Sequence, residues 1–90
     1  MRHLIAGNWK MNGLNASLAE VTKLKSLLQE KPANADILIC PPATLLPSLA
    51  QEVSGSPISA GGQDCHTTES GAHTGDVSAE MMKEAGAAFI

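Results

Sequence analysis

Apolar residues in this chain fall into short continuous runs, separated by stretches in which they recur every three or four positions. The runs at residues 3–6, 36–40, 58–63 and 87–90 read as strands, being too short for helices and bounded by Gly, Pro, Asn or Asp. Between the first two, Leu18, Val21, Leu24, Leu27 and Leu28 share one helical face, and Ser17 and Glu20 are spaced as a capping box at its start. Lys31-Pro32-Ala33-Asn34 ends that helix. Pro41-Pro42 ends the second strand, and a second helix is expected over residues 44–53 with Pro47 in its first turn. Gly55-Ser56-Pro57 closes it. A polar loop over residues 64–76 precedes a helix over residues 77–85, capped by Ser78 and stopped by Gly86. Asn12-Gly13 ordinarily marks a hairpin, but helical periodicity follows it, so it reads as a strand-to-helix loop.

This β-α-β-α-β-α-β order, with continuously apolar strands, predicts a parallel sheet joined by right-handed crossovers. An open doubly wound sheet and a half-built (β/α)8 barrel both fit. Gly61-Gly62-Gln63 lacks the spacing of a dinucleotide fingerprint, and Gly71-Ala72-His73-Thr74-Gly75 lacks the Gly-Lys-Ser/Thr ending of a phosphate loop. Glycines inside the third strand instead predict close backbone approach or a bulge.

Composition narrows the function classes. Ninety residues, 43% of them hydrophobic, with a net charge of -3, describe one small globular domain or part of a larger one. Six basic residues, one Trp and one Phe leave no basic patch or aromatic ladder, so nucleic-acid binding is not expected. No apolar run approaches the roughly 18 residues that cross a bilayer. The N-terminal run is also too short for a signal peptide, and a cytoplasmic protein without membrane contact is expected. Cys40 and Cys65 end apolar runs and are expected to be reduced structural thiols.

Candidate chemistry begins at Ala6-Gly7-Asn8-Trp9-Lys10-Met11-Asn12. Strand alternation predicts that Asn8 and Lys10 share a face with Trp9 opposite, at the strand's C-terminal end, where α/β proteins bind ligands. An amide and an ammonium there suit one anionic or carbonyl oxygen, although a solvated surface pair fits the spacing equally well. In the long loop, Asp64, Cys65, His66, His73 and Asp76 are metal-ligand types, but neither CxxC nor HExxH spacing occurs, so no metal is expected. Cys65 and His66 are adjacent and would face opposite sides of a strand, against a nucleophile–base pair. Gly71 and Gly75 bracket a protruding tip whose Thr74 hydroxyl suits contact with a partner subunit, a mobile surface loop being the alternative.

The stretch of residues 6–12, the stretch Gly62-Gln63-Asp64-Cys65-His66, and residues 71–90 together resemble the N-terminal part of the triosephosphate isomerase family. The resemblance runs the whole chain in order. It implies a homodimeric (β/α)8 barrel enzyme of glycolysis and gluconeogenesis, free of metal and cofactor, that interconverts dihydroxyacetone phosphate and D-glyceraldehyde 3-phosphate through an enediolate. Residues 1–90 would then be the N-terminal part of one barrel domain, its first three βα units and the start of the fourth strand. Lys10 matches the family's active-site lysine, which offsets charge on the phosphate and the enediolate, and Asn8 matches the asparagine that hydrogen-bonds a substrate oxygen. Thr74 matches the threonine at the tip of the interdigitating loop, which braces the neighbouring subunit's asparagine and lysine. Met11, Gln63 and Asp76 resemble interface or loop-supporting positions.

The family's electrophilic histidine and glutamate base, long used to illustrate how one fold tunes an acid and a base, lie further along the family's sequence. None of His66, His73, Glu69 or Glu80 matches them. The resemblance therefore implies that this stretch binds and polarises, and is inactive unless complemented. Two other readings stand beside it: a half-barrel interaction module using its strand edges and the 71–75 loop, and a small phosphate-binding domain built on Lys10.

Overall fold

The computed structural model describes residues 2–90. Three strands, β1 (His3–Asn8), β2 (Ala35–Cys40) and β3 (Ile58–Ala60), alternate with three helices, α1 (Leu18–Glu30), α2 (Leu46–Val53) and α3 (Ala79–Glu84). The sheet is parallel in the order β1-β2-β3, with Asn8 opposite Cys40 and Ile39 opposite Ala60. Beyond β3, Gly61 pairs in parallel with Phe89. The Gly62 N–H donates to the Phe89 carbonyl and the Ala88 N–H to the Ala60 carbonyl, both at 2.8 Å. The fourth strand therefore opens beside β3. A doubly wound sheet of order 3-2-1-4 puts that strand beside β1, so the sequential order decides for the barrel topology.

The helices supply one apolar layer. Val21 and Leu28 from α1, Leu46, Leu49 and Val53 from α2 and Met82 from α3 close over Ile39, Ile58 and Ala60 of the sheet. Leu46 and Leu49 are completely buried, and burial of such a side chain contributes about 1.5–3 kcal/mol. Leu38 and Cys40 alternate to the other face and crowd Gly61: a Cβ there would lie 2.9 Å from Cys40 Sγ and 3.0 Å from Leu38 Cδ1. One added at Gly62 would lie 2.5 Å from Met82 Cε. Close approach is thus what both glycines provide, as expected. By contrast β1 is exposed along its whole length, Leu4 at 53% and Ile5 at 58%. Parallel strands are normally covered on both faces, and β1 is open on both, since Leu4 and Ile5 point to opposite sides.

Element ends follow local chemistry. Pro47 lies in the first turn of α2, after a turn closed by the Leu45 N–H on the Pro42 carbonyl at 2.9 Å. Ser78 caps α3, its Oγ accepting from the Met81 N–H at 3.1 Å. Ser17 departs from the expected capping box. It ends a 3-10 turn (Asn15–Ser17), and its Oγ accepts the Leu14 N–H at 3.0 Å instead of capping α1. A short hydroxyl side chain bonds whichever backbone donor its local turn brings nearest, and here that donor lies behind it. Cys40 and Cys65 are free thiols.

Candidate functional site

The β1 ladder runs on to Trp9, whose N–H donates to the Cys40 carbonyl at 3.0 Å. The chain then leaves the sheet. Lys10 has φ +56, the one positive value at a non-glycine residue among the described residues. Strand alternation therefore does not place Lys10 relative to Asn8, contrary to expectation, because β1 ends at Asn8 and a left-handed turn intervenes. For a residue with a Cβ that conformation costs roughly 1–2 kcal/mol, and it persists only where the surroundings hold it.

Two side-chain amides do the holding. Asn8 Oδ1 accepts the Lys10 N–H at 2.8 Å. Gln63 Nε2 donates to the Lys10 carbonyl at 2.9 Å and to the Cys40 carbonyl at 3.0 Å, tying together the chain just past β1, β2 and β3. Asn12 Nδ2 adds a bond to the Trp9 carbonyl at 2.9 Å. Trp9 itself packs against the helical core. Neither the Gln63 bonds nor the Asn12 bond belongs to the reading from sequence pattern. The one available signal for Gln63 is its place, three residues past β3 on a parallel sheet's C-terminal edge, where an amide reaches two neighbouring carbonyls.

Lys10 is one of four lysines without an ion pair among the described residues, with Lys23, Lys31 and Lys83, and the one of them at the C-terminal edge of the sheet. The ion pairs among the described residues are Arg2–Asp36 and Lys25–Glu52, so the exposed Lys10 ammonium has no carboxylate partner. It lines a cleft of about 280 Å³ together with Met11, Gln63, Asp64 and Asp76. Met11 is 95% exposed. Four of the six sequence-derived site residues thus share one cleft, and Asn8 joins them through its bond to Lys10. Thr74 is exposed and lies outside the lining. Burial pushes the Cys40 thiol up from its ordinary value, which keeps it protonated and poorly nucleophilic at neutral pH.

The loop over residues 64–76 is folded rather than formless. The His66 N–H donates to the Val77 carbonyl at 2.8 Å, and His66 pairs with Ser78 in a parallel bridge. The His66 and His73 rings stack with centroids 3.8 Å apart and planes 23° apart. Asp76 completes a group whose ligand-type atoms lie within 4.8 Å of one another, without Asp64 or Cys65.

A family model described as triosephosphate isomerase matches residues 3–90. The triosephosphate isomerase of Caulobacter vibrioides is 55% identical over 89 residues, covering 99% of this chain and 35% of the relative. That of Xanthobacter autotrophicus is 53% identical over 90 residues, covering 99% and 35%. The crystal structure of triosephosphate isomerase from Bartonella henselae superposes with a TM-score of 0.88 at 46% identity, covering 97% of this chain and 35% of that one. The chain spans about a third of the length of the relatives it matches. With the strand order 1-2-3-4 and all helices on one face, these matches make the fold the opening βα units of a TIM barrel. The chain belongs to the triosephosphate isomerase family.

Proposed function

We propose that the protein carrying this chain interconverts dihydroxyacetone phosphate and D-glyceraldehyde 3-phosphate by proton transfer through an enediolate. The observation that carries this reading is Lys10, its backbone held at the C-terminal edge of a parallel sheet by Asn8 and Gln63 and its ammonium without a carboxylate partner. A cation carried at that edge offsets the phosphate and the oxyanion that develops as the C–H bond breaks. Asn8 spends its Oδ1 on Lys10 and keeps its N–H2 group for a substrate oxygen. Neither residue moves the proton. That task belongs to the histidine and glutamate that the family carries beyond the matched stretch, and no metal or cofactor is required.

In this reading the protein is a cytoplasmic homodimer of glycolysis and gluconeogenesis, and Thr74 reaches the partner subunit to brace its Asn8 and Lys10. Met11, Gln63 and Asp76, which share the Lys10 cleft, support that contact. Residues 1–90 form the first part of a single barrel domain. Among the described residues no helix is long and apolar enough to cross a membrane.

Steady-state isomerisation by the full-length protein tests the proposal. Lys10→Met removes the cation while keeping the stem's bulk, and kcat/KM is expected to fall roughly 10²- to 10³-fold, the usual loss for one transition-state charge partner. An unchanged kcat/KM would sink the assignment. The exposed face of β1 also favours a second reading, a half-barrel that binds through its uncovered sheet. Native mass separates the two: a compact monomer of this chain removes the interaction reading.

A further inference from the structure

His66, His73 and Asp76 are where a metal would first be sought, and their geometry argues against one. The ligand-type atoms lie within 4.8 Å of one another, so distance alone does not exclude an ion. Rings stacked with planes 23° apart send their in-plane lone pairs side by side rather than toward one ion. His66 Nδ1 is also already an acceptor, taking the Thr68 N–H at 3.0 Å with Thr68 Oγ1 at 2.8 Å. Binding an ion through Nε2 would require a proton on Nδ1, facing the Thr68 N–H.

Those same contacts define a proton-sensitive element. We propose that the stacked His66–His73 pair is an acid-labile lock on the loop over residues 64–76, closed when His66 is neutral and opened when His66 is protonated. One contact requires a neutral His66 and a second opposes charge on both rings at once. The Thr68 amide needs an unprotonated Nδ1, and two imidazolium rings 3.8 Å apart repel each other. The lock reaches the tip because the His73 ring packs on Gly71, where an added Cβ would lie 3.0 Å from His73 Cδ2. The Asp76 N–H, in turn, donates to the His73 carbonyl at 3.0 Å.

The charged groups facing the pair are Glu69 and Asp76, which line the same small cavity; the neighbouring segment and α3 contribute Val77, Ser78 and Met81, none of them titratable. A proton on His66 Nδ1 takes the place of the Thr68 N–H and breaks that bond. The sign follows: the loop's order is present above the imidazole range and is lost as pH falls through it. The consequence for subunit contact through Thr74 rests on the proposed function, but the lock itself does not.

Amide exchange in the full-length protein reads the lock directly. From about pH 8 to about pH 5, the protection factor of the Thr68 amide is expected to fall roughly three- to tenfold, the worth of one ordinary hydrogen bond. His66→Asn offers a side-chain oxygen near the Nδ1 position that does not titrate, and Thr68 protection should then be independent of pH. His73→Gln removes the stacked neighbour, so the midpoint of the loss should move to lower proton demand on His66, that is, to higher pH. A flat Thr68 profile in the parent, a parent-like response in His66→Asn, or coincident midpoints for the parent and His73→Gln would each overturn the proposal. Isomerase activity enters none of these readouts, so failure of the lock and failure of the proposed function remain distinct.

Discussion

Gln63→Ala in the full-length protein tests the idea that Lys10 is held in place rather than merely present. The substitution removes two hydrogen bonds, of 2.9 Å to the Lys10 carbonyl and 3.0 Å to the Cys40 carbonyl. At about 0.5–1.5 kcal/mol each, together they are worth roughly 1–3 kcal/mol. Only the first opposes the strain at Lys10, whose left-handed backbone costs about 1–2 kcal/mol. Bond and strain are therefore matched in size, and Asn8 alone is left to hold the turn. If relaxed conformers gain about 1.4 kcal/mol on the native one, they shift its population about tenfold. Steady-state kinetics should accordingly show kcat/KM down about tenfold, with thermal unfolding followed alongside to confirm that the variant folds. Gln63→Glu keeps the shape but presents acceptors to two carbonyls, and should be at least as damaging. A Gln63→Ala variant with kcat/KM within twofold of the parent and Lys10 still at positive φ in its crystal structure would refute the reasoning.

Three further outcomes follow from packing and protonation. Gly61→Ala forces a methyl between Cys40 Sγ, Leu38 Cδ1 and the Phe89 carbonyl, and urea unfolding should show a loss of about 1–3 kcal/mol, as for other overpacked sites. Glu52 sits below the ordinary carboxylate range because Thr22 hydrogen-bonds it and Lys25 stands beside it. Its folded-state value being depressed, its contribution is present above the ordinary range and lost as pH falls. Glu52→Gln should therefore lower Tm at neutral pH, and the difference from the parent should shrink as pH falls below the ordinary carboxylate range. Burial holds the Cys40 thiol protonated, so iodoacetamide at about pH 8 should modify it more slowly than a model thiol in the same buffer; equal rates would contradict the burial argument.

How far the chain could be read from its residues varies from place to place. Short continuous apolar runs and helical patterning located the three strands and the three α-helices, though not the 3-10 turn at Asn15–Ser17, since burial imposes those patterns over a few neighbours. Pro47, Ser78 and the crowded Gly61 and Gly62 were legible for the same local reasons. The boundary of β1 was not. Alternation extended through Lys10 looks regular in the letters, while the chain turns there into a conformation that nothing about a lysine announces. Ser17 failed similarly, because its hydroxyl takes the Leu14 N–H that the 3-10 turn brings to it.

By itself, then, the sequence determined the β-α order, the apolar layer, the family and the identity of Asn8 and Lys10 as the polar groups at the first strand's end. Tertiary structure decided the rest: the fourth strand beside β3 rather than β1, the two carbonyls bridged by Gln63, and the meeting of His66 with His73. The physical reason is range. Propensity and periodicity act over a few neighbours, whereas Gln63 reaches Lys10 across 53 positions of sequence, and only the register of packed strands brings such partners within a hydrogen bond's length.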